Sequence, residues 1–72
     1  MPLQPDLLIG KLIEKLQDRD PRNRRNAAGA LRLHGSRAIA AIPALADLLA
    51  DEDPRVRYEA EMALDRLRPL AA

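Results

Sequence analysis

The chain has 72 residues, 12 basic against 11 acidic side chains, no cysteine and a single aromatic residue, Tyr58. This length allows one domain at most with a small core, and the lack of cysteine excludes disulfides and thiolate metal sites. A net charge near +1 gives no bulk attraction to nucleic acid or to a membrane. The scarcity of aromatic and β-branched residues predicts close-packed helices rather than a β-sandwich or barrel.

Neither a signal peptide nor a membrane span is predicted. Residues 1–6 lack the basic and apolar regions of a signal peptide. The longest apolar stretch, residues 38–46, is too short to cross a bilayer. We therefore expect a soluble, cytoplasmic protein with no membrane partner.

Two helices are predicted in the first half of the chain. The first opens at Pro5 and Asp6. Its buried positions are Ile9, Leu12, Ile13 and Leu16. Asp20 is the predicted N-cap of the second helix, because its carboxylate can accept free N–H groups of the first turn, and Pro21 follows where a missing N–H costs nothing. The inward stripe of that helix is Asn23, Ala27, Ala30, Leu31 and His34. Gly35 is its predicted stop.

A third helix is predicted to open at Ser36 or Arg37. Its buried positions are Ile39, Ile42, Leu45, Leu48 and Leu49. Pro43 lies inside this helix and removes one backbone hydrogen bond, which predicts a kink near Ala41 and Ile42.

The fourth helix has the clearest signals. Asp53 is its predicted N-cap, Pro54 stands at its first position, and Pro69 stops it. Its apolar stripe is Val56, Ala60, Ala63, Leu64 and Leu67. The links between helices are short, so neighbouring helices are expected to pack antiparallel.

The two halves of the chain match each other at an offset of 33 residues. The segment 18–24 aligns with 51–57, and residues 8–35 share eleven identities with residues 41–68. Composition alone would give roughly three, so a tandem repeat is the better explanation. We predict one domain over residues 1–72, with repeat one at about 5–35 and repeat two at about 36–69.

Three segments of the second half carry a family resemblance. Residues 41–49 read AIPALADLL, residues 51–57 read DEDPRVR, and residues 60–64 read AEMAL. This combination resembles HEAT repeats, specifically the short bacterial kind also found in phycobilisome lyases, over about residues 6–69. The resemblance implies an all-α fold of two helical hairpins, four helices in all, stacked as a short right-handed α-solenoid.

The resemblance also implies a structural ladder. In such repeats the Asp of the turn and the Arg of the Val-Arg pair form ion pairs between neighbouring units. That role maps onto Asp20 with Arg24 and onto Asp53 with Arg57. Repeat one departs from the family pattern at two positions, because Gly10 replaces the proline and Asn23 replaces the valine. We take Asn23 as a sign that the N-terminal edge of the stack is partly exposed.

Protein binding is the function that the pattern favours. Solenoid units bury their faces against neighbours, and about three are needed for independent stability. With two repeats, the chain either associates with itself, docks on another protein, or belongs to a longer array. We favour a homo-oligomer that forms through the exposed stack ends. A marginally stable monomer is the alternative.

The outer surface of the second helix in each hairpin is the usual binding face of HEAT stacks. Helical spacing places Tyr58 and Met62 on that surface, and such side chains are enriched at interfaces. The predicted partner-binding residues are Arg22, Arg25, Arg32, Arg55, Tyr58 and Met62.

Other functions have less support in the sequence. The arginines of the second helix could neutralise phosphates of a nucleic acid, but acidic neighbours offset them and no aromatic residue lies among them to stack on bases. A role as accessory subunit of a lyase-type complex follows from the resemblance alone. His34 lies on the inward stripe, where a packed or carbonyl-capping role is favoured, and no acid is placed to orient a dyad of His34 with Ser36. We predict a non-enzyme that uses no cofactor and no metal.

Overall fold

The computed structural model describes residues 5–72, with side chains from Leu7 onward. All regular elements in that range are helical, which confirms the predicted all-α class. The α-helices are α1 (Pro5–Lys15), α2 (Pro21–His34), α3 (Ile42–Asp47) and α4 (Pro54–Leu67). Short 3-10 helices cover Gly35–Ala41, Leu48–Ala50 and Pro69–Ala71. No helix within residues 5–72 combines the length and the apolar character needed to cross a bilayer.

Helices α2 and α4 begin in the same way, as the sequence predicts. Asp20 and Asp53 both have extended backbones and act as N-caps. Their Oδ1 atoms accept the backbone N–H groups of Arg22 at 2.9 Å and of Arg55 at 2.8 Å. A proline follows each cap, so the one position without an N–H is a position where no intrahelical bond is lost.

The predicted third helix is broken into three pieces. The chain runs as a 3-10 helix from Gly35 to Ala41, and α3 begins only at Ile42. Pro43 therefore lies in the first turn of an α-helix instead of inside one. An α-helix cannot continue unbroken through Pro43, because proline has no backbone N–H to donate and its ring would clash with the carbonyl four residues earlier. Where the sequence predicts a kink, near Ala41 and Ile42, the chain changes from a 3-10 helix to an α-helix.

The core is centred on α2 and α4, which occupy corresponding positions in the two repeats. Helix α2 packs along α4, α1 packs on α2, and α3 packs on α4. The buried apolar side chains are Ile9, Leu16, Ala27, Ala28, Leu31, Ala38, Ala41, Leu45, Leu48, Val56, Ala60, Ala63, Leu64 and Leu67. The whole predicted stripe of α4 belongs to this core.

The predicted stripe of α2 is only partly right. Ala27 and Leu31 are buried, whereas Asn23, Ala30 and His34 are half-buried. Two residues outside the predicted stripe, Arg24 and Ala28, are buried as well. The reason is that α2 packs against α4 as well as α1, so a second side of α2 is covered.

Three of the five side chains predicted to be buried in the third helix lie at or near the surface. Leu45 and Leu48 are buried, Ile39 and Ile42 are half-buried, and Leu49 is exposed. Positions 39 and 49 lie in 3-10 helices, whose residues advance by about 120° instead of 100°, so an α-helical count misplaces them.

Candidate interaction surface

The two sequence repeats are joined by one partly buried ion pair. Arg24 on α2 donates from Nε to Oδ2 of Asp51 at 2.8 Å and from Nη2 to Oδ1 at 3.1 Å. The two side chains are 11% and 8% exposed. Two parallel N–H···O bonds to one carboxylate fix both the distance and the orientation of the groups.

The third nitrogen of the same guanidinium is also bound. Nη1 of Arg24 donates to the carbonyl oxygens of Asp18 at 2.7 Å and Arg19 at 3.1 Å. Arg24 thus ties the turn before α2 to the turn before α4. All three of its nitrogens have hydrogen-bond partners, which offsets the cost of burying a charged guanidinium.

The ladder partner of Arg24 is different from the expected one. Asp20 does not pair with Arg24, because Asp20 caps α2 and both its oxygens bind Arg22, with Nη2 at 2.8 Å from Oδ2. Asp51 takes its place, two residues before the next cap. The capping geometry turns the Asp20 carboxylate toward its own helix, which leaves the preceding acidic position to reach a neighbour.

The expected pairing of Asp53 with Arg57 is also not observed. Asp53 caps α4 and lies 3.4 Å from Nη2 of Arg55. Arg57 instead donates from Nη1 to the carbonyl oxygen of Asp51 at 2.6 Å, as Arg24 does to Asp18. Unlike Arg24, Arg57 is exposed.

The hydrogen bonds of these turns lower the pKa of the carboxyl groups. Burial by itself would raise the pKa of Asp51, but hydrogen bonds from Arg24 and from the backbone N–H of Asp53 outweigh it. The pKa of Asp51 therefore lies below its ordinary value. Side-chain hydrogen bonding by Arg22 lowers the pKa of Asp20 in the same direction.

A shallow open groove of about 400 Å³ runs over the exposed side of α2. It is lined by Arg25, Asn26, Gly29, Ala30, Arg32, Leu33 and Glu59. The structure thus brings together Arg25 and Arg32, two of the predicted partner-binding residues. Oε1 of Glu59 on α4 lies 3.5 Å from the place that a Cβ of Gly29 would take. The groove therefore contains one carboxylate, from α4, together with the two guanidinium groups of α2.

The other predicted contact residues do not join this groove. The Arg22 side chain is 73% exposed and the Arg55 side chain is 66% exposed, and each pairs with its neighbouring cap residue. Tyr58 is exposed on α4, and Met62 is half-buried one turn later. Because Arg22 and Arg24 are held by carboxylates, the basic character of α2 is smaller than its sequence suggests.

Large apolar side chains are exposed near both ends of the described chain, on α2, on α4 and in the 3-10 helix that follows α3. They are Leu7, Leu8, Leu33, Leu49, Tyr58 and Leu70. Leu33 is 81% exposed beside the groove. Among the described side chains, no three His, Asp or Glu residues cluster closely enough to hold a metal ion.

Sequence reasoning missed Asp18, Asp51 and Leu33 as surface or ladder residues. Asp18 and Asp51 are the same residue at equivalent positions of the repeat, and this identity is the sequence signal that marks them. The identity is less conspicuous than the Asp-Pro pair that follows each of these residues two positions later. Nothing in the sequence marked Leu33, whose exposure depends on which sides of α2 its neighbours cover.

The comparisons with known proteins agree with this architecture. The family model for HEAT repeats matches residues 9–72. Curated proteins and solved structures give no match to the chain. The match covers nearly the whole sequence and includes both Asp-Pro turns and the Arg24–Asp51 bridge, and the chain belongs to the HEAT repeat family.

Proposed function

We propose that this chain is a protein-interaction unit that assembles with copies of itself through the ends of its helical stack. HEAT repeats commonly serve as protein-interaction scaffolds and are generally non-catalytic. The observation that carries the proposal is the Arg24–Asp51 bridge, a connection between units that a further unit can repeat. The narrower resemblance to repeats of phycobilisome lyases stays a prediction.

The proposed architecture is two hairpins, α1 with α2 and α3 with α4, stacked as a short right-handed solenoid. The packing of α2 along α4 supports this arrangement, as does the repeat of each cap 33 residues later. In such a stack each end presents a face that inner units would bury.

Self-association is supported by the apolar side chains at the chain's two ends. Leu7 is 61% exposed, Leu8 is 47% exposed and Leu70 is 46% exposed. A chain of 72 residues has a small core, so covering such side chains on a second copy would add stability that the monomer lacks.

Light scattering over a dilution series, with helicity followed by circular dichroism, tests this function. We expect a dimer or larger species at high concentration that dissociates on dilution with some loss of helicity. A fully helical monomer at every concentration up to about millimolar, where only interactions weaker than about 4 kcal/mol would escape detection, would contradict it.

A partner of another kind would meet the groove of α2 and the exposed surface of α4. For such a partner we expect Tyr58→Ala to weaken binding, with little dependence on salt concentration. Nucleic acid is the other candidate, and it predicts binding that falls steeply with salt and with Arg25→Ala. A titration at two salt concentrations with both variants separates these two cases.

A further inference from the structure

Arg24 and Arg57 occupy equivalent positions of the repeat, but among the described side chains only Arg24 has a carboxylate partner. Nη1 of each donates to the carbonyl oxygen six residues earlier, at 2.7 Å for Arg24 and at 2.6 Å for Arg57. Nε and Nη2 of Arg24 then bind Asp51. Among the side chains from Leu7 to Ala72, no carboxylate accepts a hydrogen bond from Nε or Nη2 of Arg57.

Asp18, in repeat one, is the acidic residue that could complement Arg57 of repeat two. Asp18 and Asp51 are equivalent, and Oδ1 of each accepts the backbone N–H two residues later at 2.9 Å. Oδ2 of Asp51 binds Arg24, whereas the second donor to Asp18 from the described side chains is the Asn23 amide, which binds Oδ1 at 3.2 Å. Within the described residues, Oδ2 of Asp18 accepts no hydrogen bond.

The repeat register brings these two groups together. Asp51 follows Asp18 by 33 residues, and Arg57 follows Arg24 by the same number. A carboxylate that paired with Arg57 in the same way would lie one repeat, 33 residues, after Asp51. A second copy that continues the stack after the first two repeats places its own Asp18 at that position.

We propose that the α4 end of one copy docks on the α1–α2 end of a second copy, where Arg57 binds Asp18 of the second copy as Arg24 binds Asp51. This inference rests on the proposed self-association and names its interface. The contact joins two different surfaces, so each copy keeps one free end for a further copy until the assembly closes into a ring. It builds head-to-tail assemblies, as open chains or rings, rather than a two-fold symmetric dimer.

The burial pattern of the repeat agrees with this docking face. Arg24 and Ala28 are buried on α2, and their equivalents Arg57 and Glu61 on α4 are exposed. These are the positions that a following unit would cover. Glu61 is charged where Ala28 is apolar, so the contact between copies is more polar than the internal one. Its affinity is therefore expected to be modest and to fall as salt concentration rises.

Complementary charge reversals test the pairing. Arg57→Glu and Asp18→Lys are each expected to be monomeric at concentrations at which the unmodified chain associates, because like charges then meet at the contact. An equimolar mixture of the two variants is expected to associate again, because each mixed contact pairs opposite charges. Light scattering over a dilution series measures all three samples.

Two further variants keep the test independent of folding. Asp18→Lys removes the acceptor for a backbone N–H, whereas Asp18→Asn retains Oδ1 and removes only the charge. We expect Asp18→Asn to fold normally and to weaken association by roughly tenfold or more, because it loses a charged hydrogen-bond partner. Arg66→Glu makes the same charge change as Arg57→Glu at another exposed position of α4, and it should leave association intact.

The outcomes separate this interface from the proposed function. An unmodified chain that stays monomeric contradicts self-association itself and with it this inference. Association that persists unchanged in Arg57→Glu and Asp18→Asn leaves the proposed function standing and overturns this interface. The inference also fails if the two charge reversals do not restore each other, or if the assembly is a symmetric dimer that does not grow with concentration.

Discussion

The guanidinium of Arg24 binds both carboxylate oxygens of Asp51, which lies 27 residues further along the chain. This is the longest-range hydrogen-bonded contact among the described side chains, since the others join residues at most six positions apart. It connects the turn before α2 with the turn before α4, and it is the contact from which both proposals are derived.

Removal of this contact should lower stability. Arg24→Met keeps a long apolar side chain but leaves the Asp51 carboxylate without its partner. We expect Tm to fall by on the order of 10 °C, because the loss of one member of a partly buried ion pair leaves the other charge poorly compensated. Thermal unfolding followed by circular dichroism measures the change.

Arg22→Met is the matched control for that prediction. Arg22 also pairs with an aspartate, at 2.8 Å, but its side chain is 73% exposed. Exposed ion pairs contribute little, so we expect Tm to change by no more than about 2 °C. Equal effects of the two substitutions would show that the Arg24–Asp51 contact has no special structural role.

Stability should fall at acidic pH. The pKa of Asp51 is lowered in the folded chain, so near that pKa the folded chain binds fewer protons than the unfolded chain. The stabilisation is therefore complete above the unfolded value, about 3.9, and is lost as the pH falls through the lower folded value. We expect a constant urea midpoint from pH 7 to about pH 5 and a steep decrease below about pH 4.

Asp51→Asn identifies the part of this acid sensitivity that comes from one group. The variant cannot titrate at position 51, so its midpoint should start lower and decrease less steeply with acid. Some decrease must persist, because hydrogen bonds also lower the pKa of Asp18, Asp20 and Asp53. Parallel pH profiles of the two proteins would contradict the assignment.

Two leucines of α2 should respond differently to truncation. Leu31 is fully buried, and Leu31→Ala is expected to cost about 3 kcal/mol of unfolding free energy through lost burial and an added cavity. Leu33 is 81% exposed, and Leu33→Ala should change stability by less than about 0.5 kcal/mol. Urea unfolding at low protein concentration measures both without a contribution from association.

Two glycines should respond in opposite directions to alanine. Gly10 lies within α1, and an added Cβ would meet nothing within 4 Å, so Gly10→Ala should stabilise the fold by about 0.5–1 kcal/mol. Gly35 has a φ of 60° after α2, so Gly35→Ala should destabilise it by about 1 kcal/mol. The same change in both variants would show that one of these backbone assignments is wrong.

Local features of the fold could be predicted from the sequence alone. The starts of α2 and α4 are encoded in the Asp-Pro pairs at 20–21 and 53–54, because capping involves residues only two or three positions apart. The stripe of α4 was predicted in full, since 3.6-residue periodicity determines which side of a regular helix is apolar. The tandem repeat and the all-α class follow from the same local patterns.

The tertiary structure decided what depends on distant parts of the chain. The partner of Arg24 could not be derived from spacing along α2, because it depends on how α2 lies against the turn before α4. The burial of Ala28 and the exposure of Leu33 have the same origin, since each depends on which sides of α2 its neighbours cover. Sequence periodicity therefore determined the helices and their caps, whereas the packing of α2 on α4 determined which charges and apolar side chains remain available to a partner.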